Sequence, residues 1–150
     1  MDNNLYTLPK IYMYTHRILD KDGKITDRVA TGLENVLHAY SIFIPEYSRV
    51  HETNPKNFLI NKAFLVGSAV RENRIDSDLD LMLIAPQIDD CSERDIKVWM
   101  SVLFFNNKPK TEAVDVFVRP YDRYPDRSSM DITDQVKKLL KQYNAKLLKK

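Results

Sequence analysis

The sequence predicts an α+β fold in which helices pack on one face of a small mixed β-sheet. Two observations lead to this fold class. Three short apolar segments, at residues 62–66, 77–84 and 112–118, have the length and composition of strands. Longer segments around them carry apolar residues at helical spacing. The resulting order, helix, strand, strand, helix, strand and helix, is typical of a sheet that buries one face under helices.

The N-terminal third of the chain is predicted to form a hairpin and then a helix. The hairpin would turn at residues 20–24, which have the Asp and Gly content of a tight turn. Thr26 is a suitable N-cap for the helix, and Pro45 is expected beyond its end because proline disrupts a helix interior. Residues 45–58 would then form a loop. The predicted apolar side of this helix consists of Val29, Leu33, Val36, Leu37 and Tyr40.

Two more helices are predicted in the second half of the chain. Ser92 can cap a helix that runs to about Phe105. The last helix is expected to begin near Asp131 or Thr133. Their predicted apolar faces are Ile96, Trp99, Met100, Leu103 and Phe104 in the first, and Ile132, Val136, Leu139, Leu140, Tyr143 and Leu147 in the second.

A chain of 150 residues has the size of one domain. We expect residues 62–120 to form its core motif, with an N-terminal region, 1–45, and a basic C-terminal helix, 131–150, packed on that motif. Apolar residues make up 43% of the chain and charged residues 29%, which is typical of a globular protein rather than a disordered one.

The composition also indicates where the protein resides. No apolar run approaches the roughly 20 residues needed to cross a bilayer. The N-terminus has neither the basic start nor the apolar stretch of a signal peptide. Because Cys91 is the only cysteine, an internal disulfide is excluded. We therefore expect a cytoplasmic protein with no membrane partner.

The net charge of +2 is too small to indicate a nucleic-acid partner by itself. The distribution of charge is more informative, since residues 137–150 contain six lysines and no acidic residue. This basic end either contacts nucleic acid or forms the solvated face of a terminal helix. The second interpretation is favoured, because such charge runs more often face solvent.

Two carboxylates, Asp78 and Asp80, open the second predicted strand. Residues two apart in a strand project to the same face, whereas Leu79 and Leu81 project to the other. Like charges this close repel each other unless a cation lies between them. Carboxylate oxygens are the ligands that Mg²⁺ prefers, so the pair predicts a divalent metal site.

A third carboxylate, Asp115, lies on the third predicted strand, on the face opposite its valines. If that strand is adjacent to the second, the three aspartates can converge. Such a set can hold two ions about 3.5–4 Å apart, the arrangement that stabilises attacking and leaving oxygens in phosphoryl or nucleotidyl transfer.

The chain resembles the DNA polymerase beta-like nucleotidyltransferase superfamily between residues 63 and 120. The shared features are an apolar strand entering Gly67-Ser68, a spacer of nine residues, the pair Asp78 and Asp80 at the start of an apolar strand, and a later strand bearing Asp115. The resemblance implies the palm-like fold of that superfamily in its small, minimal form.

The resemblance also implies a role for each acidic residue. Asp78 and Asp80 would each contact two Mg²⁺ ions, or Mn²⁺ in their place. Asp115 would bind the ion nearer the acceptor and help to orient or deprotonate the attacking hydroxyl. All three are therefore expected to be catalytic residues and metal ligands.

For the nucleotide, the resemblance implies that Gly67 and Ser68 hold the β- and γ-phosphates. This is physically reasonable, because glycine lets a backbone approach an anion closely and amides at a helix start donate to phosphate. Arg71 occupies a position where members place a triphosphate-binding arginine. The chain departs from the pattern at Glu72, where many members carry a second glycine.

The expected activity is transfer of a nucleoside monophosphate from an NTP to a hydroxyl acceptor, with release of pyrophosphate. The acceptor could be RNA, a protein or a small molecule, and the sequence does not distinguish them. The alternative function is a binding partner with the same fold, such as the antitoxin of a toxin–antitoxin pair. The short chain favours that alternative, because it has no large substrate domain.

Overall fold

The structure is a computed structural model that describes residues 17–67, 70, 77–121 and 129–148. Its elements are helix α1 (Asp27–Val50), strands β1 (Lys62–Val66) and β2 (Leu79–Ile84), helix α2 (Asp90–Phe104), strands β3 (Val114–Arg119) and β4 (Met130–Asp131), and helix α3 (Thr133–Asn144). Short 3-10 helices, Pro55–Phe58 and Ala145–Leu147, follow α1 and α3.

The four strands of the described chain form one mixed sheet in the order β3-β2-β1-β4. Strand β1 pairs antiparallel with β2 and with β4, whereas β2 and β3 are parallel. Helix α2 connects the two parallel strands, which cannot be joined by a tight turn. The prediction of an α+β protein with a mixed sheet is confirmed.

The main core lies between one face of the sheet and the helices. It joins buried side chains of α1, α2 and α3 to the inward residues of the strands. A smaller apolar cluster lies on the opposite face, with Val66, Met82 and Ile84 at its centre and Phe64 and Phe117 against it. The sheet therefore has apolar residues on both faces. On the second face, charged residues flank the apolar cluster at both ends, with Asp80 and Asp115 at one end and Lys62 and Arg119 at the other.

Helix α1 continues past Pro45 to Val50, so the predicted helix end and the predicted loop over residues 45–58 are wrong. An interior proline costs about 3 kcal/mol because it removes a backbone hydrogen bond. The final turns bury Ile44 and Tyr47, and the Tyr47 hydroxyl donates to the Asp95 carboxylate at 2.6 Å. These tertiary contacts with α2 offset the local penalty.

Helix α2 begins one turn earlier than predicted. Its cap is Asp89, whose carboxylate accepts a hydrogen bond from the Ser92 backbone N–H at 2.8 Å. The Ser92 hydroxyl donates to the same carboxylate, also at 2.8 Å. Ser92 therefore supports the cap and does not form it. This arrangement holds the pKa of Asp89 below its usual range.

Strand β2 begins at Leu79 and not at Ser77 as predicted, so Asp78 lies just before the strand, and β3 runs over Val114–Arg119 instead of 112–118. Strand β4 was not predicted, since two residues are too short to show a period. Thr26 precedes α1 as expected, but its hydroxyl donates to the Arg17 carbonyl and makes no cap hydrogen bond. The predicted turn at residues 20–24 is present, closed by an isolated bridge between Leu19 and Ile25. Of the first strand of the predicted hairpin, residues 17–19 are described and the rest lies outside the described residues.

Among the helices that the structure describes, none has both the length and the apolar character to cross a membrane.

Candidate functional site

The register of two parallel strands brings the predicted carboxylates together. Asp80 of β2 is the direct partner of Asp115 of β3, and Asp78 immediately precedes β2. One carboxylate oxygen from each of the three residues lies within 4.8 Å of the other two. The three aspartates, called here the acidic cluster, therefore share one small volume at the end of the sheet where β2 begins.

Alternation along the strands explains why these residues cluster and their neighbours do not. Leu79 and Leu81 point into the main core, as do Val114 and Val116. Asp80 and Asp115 consequently project to the opposite face at the same level of the sheet. The apolar positions fix the register, because a slip of one residue would bury the aspartates and expose the leucines.

Gly67 follows β1 and lies directly against the acidic cluster. Its φ is +85°, a backbone conformation that favours glycine. A Cβ at this position would lie 2.1 Å from Asp80 Oδ2 and 3.1 Å from Asp80 Cγ. Two features of the structure thus favour glycine at position 67. One is its positive φ, and the other is the Asp80 carboxylate, which occupies the space that a side chain would need.

Asp80 carries the clearest electrostatic signature of the site. Burial raises its pKa to about 7, and the charges of Asp78 and Asp115 and a hydrogen bond with Asp78 act in the same direction. Lys97 opposes the shift. Without a bound cation, Asp80 therefore keeps its proton to a higher pH than an ordinary carboxyl group does.

Lys97 is a site residue that the sequence analysis missed. It lies on α2, and its ammonium donates to Asp115 Oδ1. The same ammonium lies 4.0 Å from the centroid of the Phe117 ring. Nothing in the sequence distinguishes Lys97 from other helix-surface lysines, because its position over β3 depends on how α2 crosses the sheet.

Arg28 is a second residue that sequence reasoning did not single out. From α1 its guanidinium donates to the Ser77 carbonyl, just before Asp78, and to the Lys110 carbonyl at 2.9 Å. It therefore joins the segment that leads into β2 to the loop that leads into β3. This contact fixes the approach of the two strands that carry the acidic cluster.

A cavity of about 550 Å³ opens beside Asp78, on the β3 side of the cluster. Most of its lining residues are polar or charged, and they include the loop between α2 and β3. The lining residues are Asp78, Phe105, Asn106, Asn107, Lys108, Lys110 and Ala113. A larger cavity of about 890 Å³ lies between α1 and the end of α2, and Lys108 borders both. Of the three carboxylates, Asp78 borders the smaller cavity, and none borders the larger one.

Two of the predicted nucleotide-binding residues, Ser68 and Arg71, lie outside the described residues, as does Glu72. Their roles stay predictions. Lysines of the basic end that the structure describes, such as Lys138, Lys141 and Lys146, are exposed on or just after α3. Their exposure agrees with a solvated helix face, and contact with nucleic acid stays a prediction.

The donor set of the acidic cluster fits a divalent cation. Three carboxylates offer only oxygen ligands, which suit hard ions such as Mg²⁺. Burial is the main cause of the raised pKa of Asp80, the charges of Asp78 and Asp115 raise this pKa further, and Lys97 opposes them only in part. A cation bound among the three carboxylates would reduce the repulsion between their charges.

Comparison with known proteins adds no relative. No family model matches the chain, and no curated protein or solved structure matches it.

Proposed function

We propose that this protein is a Mg²⁺-dependent nucleotidyltransferase of the polymerase beta-like type. It would transfer a nucleoside monophosphate from an NTP to a hydroxyl acceptor and release pyrophosphate. The observation that supports this proposal most directly is the convergence of Asp78, Asp80 and Asp115 from adjacent strands, with Gly67 packed against Asp80. A partly buried cluster of like charges is destabilising, so its presence in a small domain favours a functional role.

The proposed reaction is one substitution at phosphorus. The acceptor oxygen forms a bond to the α-phosphorus as the bond from that phosphorus to the bridging oxygen breaks. Pyrophosphate leaves with the bridging oxygen, and the proton of the acceptor hydroxyl would pass to Asp115. Most of the rate enhancement would come from positioning and charge neutralisation, since no covalent enzyme intermediate is needed.

Within this proposal the acidic cluster holds the metal. Asp78 and Asp80 would contact two Mg²⁺ ions, and Asp115 would contact the one nearer the acceptor. When bound, the ions would neutralise charge that gathers on the phosphoryl oxygens. Asp115 would also orient the attacking hydroxyl, which is consistent with its place on the outer side of β2, away from Gly67.

The two sides of the cluster suit different substrates. Gly67 follows β1, and the NTP would bind on that side through Gly67, Ser68 and Arg71. The 550 Å³ cavity lies on the β3 side and offers space for an acceptor. Its lysines do not decide among RNA, a protein and a small molecule.

Removal of single carboxylates tests the proposal. Asp78→Asn and Asp80→Asn keep side-chain size and remove charge, so each should lower transfer at least about a thousandfold, the effect of losing about 4 kcal/mol of transition-state stabilisation. The measurement is transfer of label from each of four α-labelled NTPs, with Mg²⁺, to a fractionated cell extract. Asp22→Asn is the matched control, because Asp22 is exposed in the turn far along the chain from the cluster. Wild-type transfer by the Asp80 variant would refute the metal-site assignment.

Partner binding is the second candidate function, and an exposed apolar strip on α2 favours it. Val98 and Val102 are 64% and 61% exposed, and Leu103 and Phe105 are partly exposed beside them. Apolar strips of this kind often mark interaction surfaces. Co-purification of a small helical protein, lost in Val98→Ser/Val102→Ser, would support an antitoxin-like role. A monomer with efficient transfer activity would argue against it.

A further inference from the structure

The chain itself places a cation, the Lys97 ammonium, against the acidic cluster. The Lys97 ammonium donates to Asp115 Oδ1, and Asp115 is one of the three residues of the cluster. The Lys97 side chain is 34% exposed and that of Asp115 is 21% exposed. Because the pair is partly shielded from water, its attraction is screened less than that of a surface ion pair.

We infer that Lys97 competes with a divalent cation for the Asp115 carboxylate and acts as an internal counter-ion when no metal is bound. The inference rests on the proposed function for the identity of the metal ligands. It goes beyond that function because it assigns a role to a residue of α2, outside the strand motif.

The position of Lys97 favours competition with a metal ion for Asp115 over a role in supporting Asp115 as a metal ligand. A residue that supports a metal ligand fixes the orientation of that ligand by a hydrogen bond and raises its basicity. Lys97 instead places a full positive charge on an oxygen of the cluster, where a metal ion would add further positive charge. Two cations on one carboxylate repel each other, so metal binding must weaken the Lys97–Asp115 ion pair.

The structure also offers the ammonium a second neighbour. The Phe117 ring lies two residues along β3 from Asp115, and Lys97 Nζ is 4.0 Å from its centroid. Aromatic faces attract ammonium groups. A Lys97 side chain that leaves Asp115 can therefore remain over Phe117 without returning fully to solvent.

The test is a titration with Mn²⁺ in the absence of nucleotide. Lys97→Met keeps the length and the apolar stem of the side chain and removes its charge. We expect the apparent Kd for Mn²⁺ to fall about tenfold, a change of the size seen when groups next to metal ligands are altered. The readouts are calorimetry and the rise in Tm at each Mn²⁺ concentration, so catalysis is not required.

Three variants complete the experiment. Lys97→Arg retains the charge and should retain the wild-type Kd. Lys97→Gln removes the charge, keeps a hydrogen-bond donor and should bind Mn²⁺ as tightly as the Met variant, which guards against a folding defect in either one. Lys141→Met removes a charge from an exposed position on α3 and should leave the Kd unchanged.

The outcomes separate this inference from the proposed function. Unchanged or weaker Mn²⁺ binding by both uncharged variants would overturn the competition, even if wild-type protein binds Mn²⁺ well. A lower Tm with an unchanged Kd would show that Lys97 is only structural. If neither wild type nor the uncharged variants bind Mn²⁺, the proposed metal site fails and the inference fails with it. Binding by the uncharged variants alone would support competition most strongly.

Discussion

The two faces of β2 and β3 share one backbone but have opposite chemistry. On the helix-covered face, every residue of these strands is an aliphatic side chain that is 6% exposed or less. These residues are Leu79, Leu81, Leu83, Val114, Val116 and Val118. On the other face, Asp80 and Asp115 are adjacent and only half-buried, next to the apolar pair Met82 and Phe117. The helix-covered face therefore stabilises the fold, whereas the two aspartates at the start of the other face oppose it.

The destabilising effect of these aspartates is visible in the pKa of Asp80. A pKa of about 7, against an ordinary value near 4, means that the fold disfavours the ionised form of this carboxyl. Leucine or threonine at the same position would avoid the conflict. The comparison teaches that the sheet has one face for stability and one patch whose charges serve another purpose, which we propose is metal and nucleotide binding.

Exchange of one residue on each face should have the largest effects. Leu81→Ala should lower the free energy of unfolding by about 2–5 kcal/mol, because it removes buried methyl groups and leaves a cavity. Asp80→Asn should instead leave stability unchanged or raise it by up to about 1 kcal/mol at pH 8, a figure reduced for solvent screening of this half-exposed group. Urea unfolding measures both. A strongly destabilised Asp80→Asn variant would contradict the difference between the faces.

Two glycines with similar backbones sharpen the comparison. Gly67→Ala and Gly23→Ala both place a side chain at positive φ, +85° and +77°, which costs roughly 1–2 kcal/mol. Only at Gly67 would the new Cβ also collide with the Asp80 carboxylate, since nothing lies within 4 Å of a Cβ at Gly23. Gly67→Ala should therefore lose about a hundredfold in nucleotidyl transfer, the cost of misplacing a catalytic group by about 1 Å.

The Gly23 variant is the control for this prediction. It should show a similar loss of Tm and unchanged transfer. Equal activities in the two variants would mean that the space beside Asp80 is unimportant.

The pH dependence of stability gives the smallest effect. Because the pKa of Asp80 is raised in the folded state, folded protein keeps a proton that unfolded protein has lost between about pH 4 and 7. The free energy of unfolding attributable to Asp80 should therefore decrease as pH rises through this window and stay low above it.

Chemical denaturation of wild type and Asp80→Asn at several pH values, without metal, isolates this contribution as the difference between the two proteins. The difference should grow from pH 4 to 7 in favour of the variant. Addition of Mg²⁺ at pH 8 should stabilise wild type more than the variant, because a ligand that binds only the folded state raises its stability. A difference that is flat with pH would show that Asp80 ionises normally.

Much of the fold followed from local sequence patterns. Alternation in β2 and β3 predicted which residues face the core, and helical spacing predicted α2 and α3 to within a few residues. The patterns failed at Pro45, because burial of Tyr47 and its hydrogen bond to Asp95 arise only when α1 meets α2. They failed at β4 because two residues carry no period.

The candidate site divides in the same way. The sequence by itself determined that Asp80 and Asp115 would occupy strand positions facing away from the core, since side-chain direction in a strand follows from alternation alone, whereas Asp78 lies one residue before β2. Only the tertiary structure decided that β3 lies parallel to β2 in the register Asp80 to Asp115, that Gly67 abuts Asp80, and that Lys97 reaches Asp115. Strand order and the crossing of the helices over the sheet depend on contacts between residues that are distant in the chain. No local sequence pattern indicates which of those residues meet.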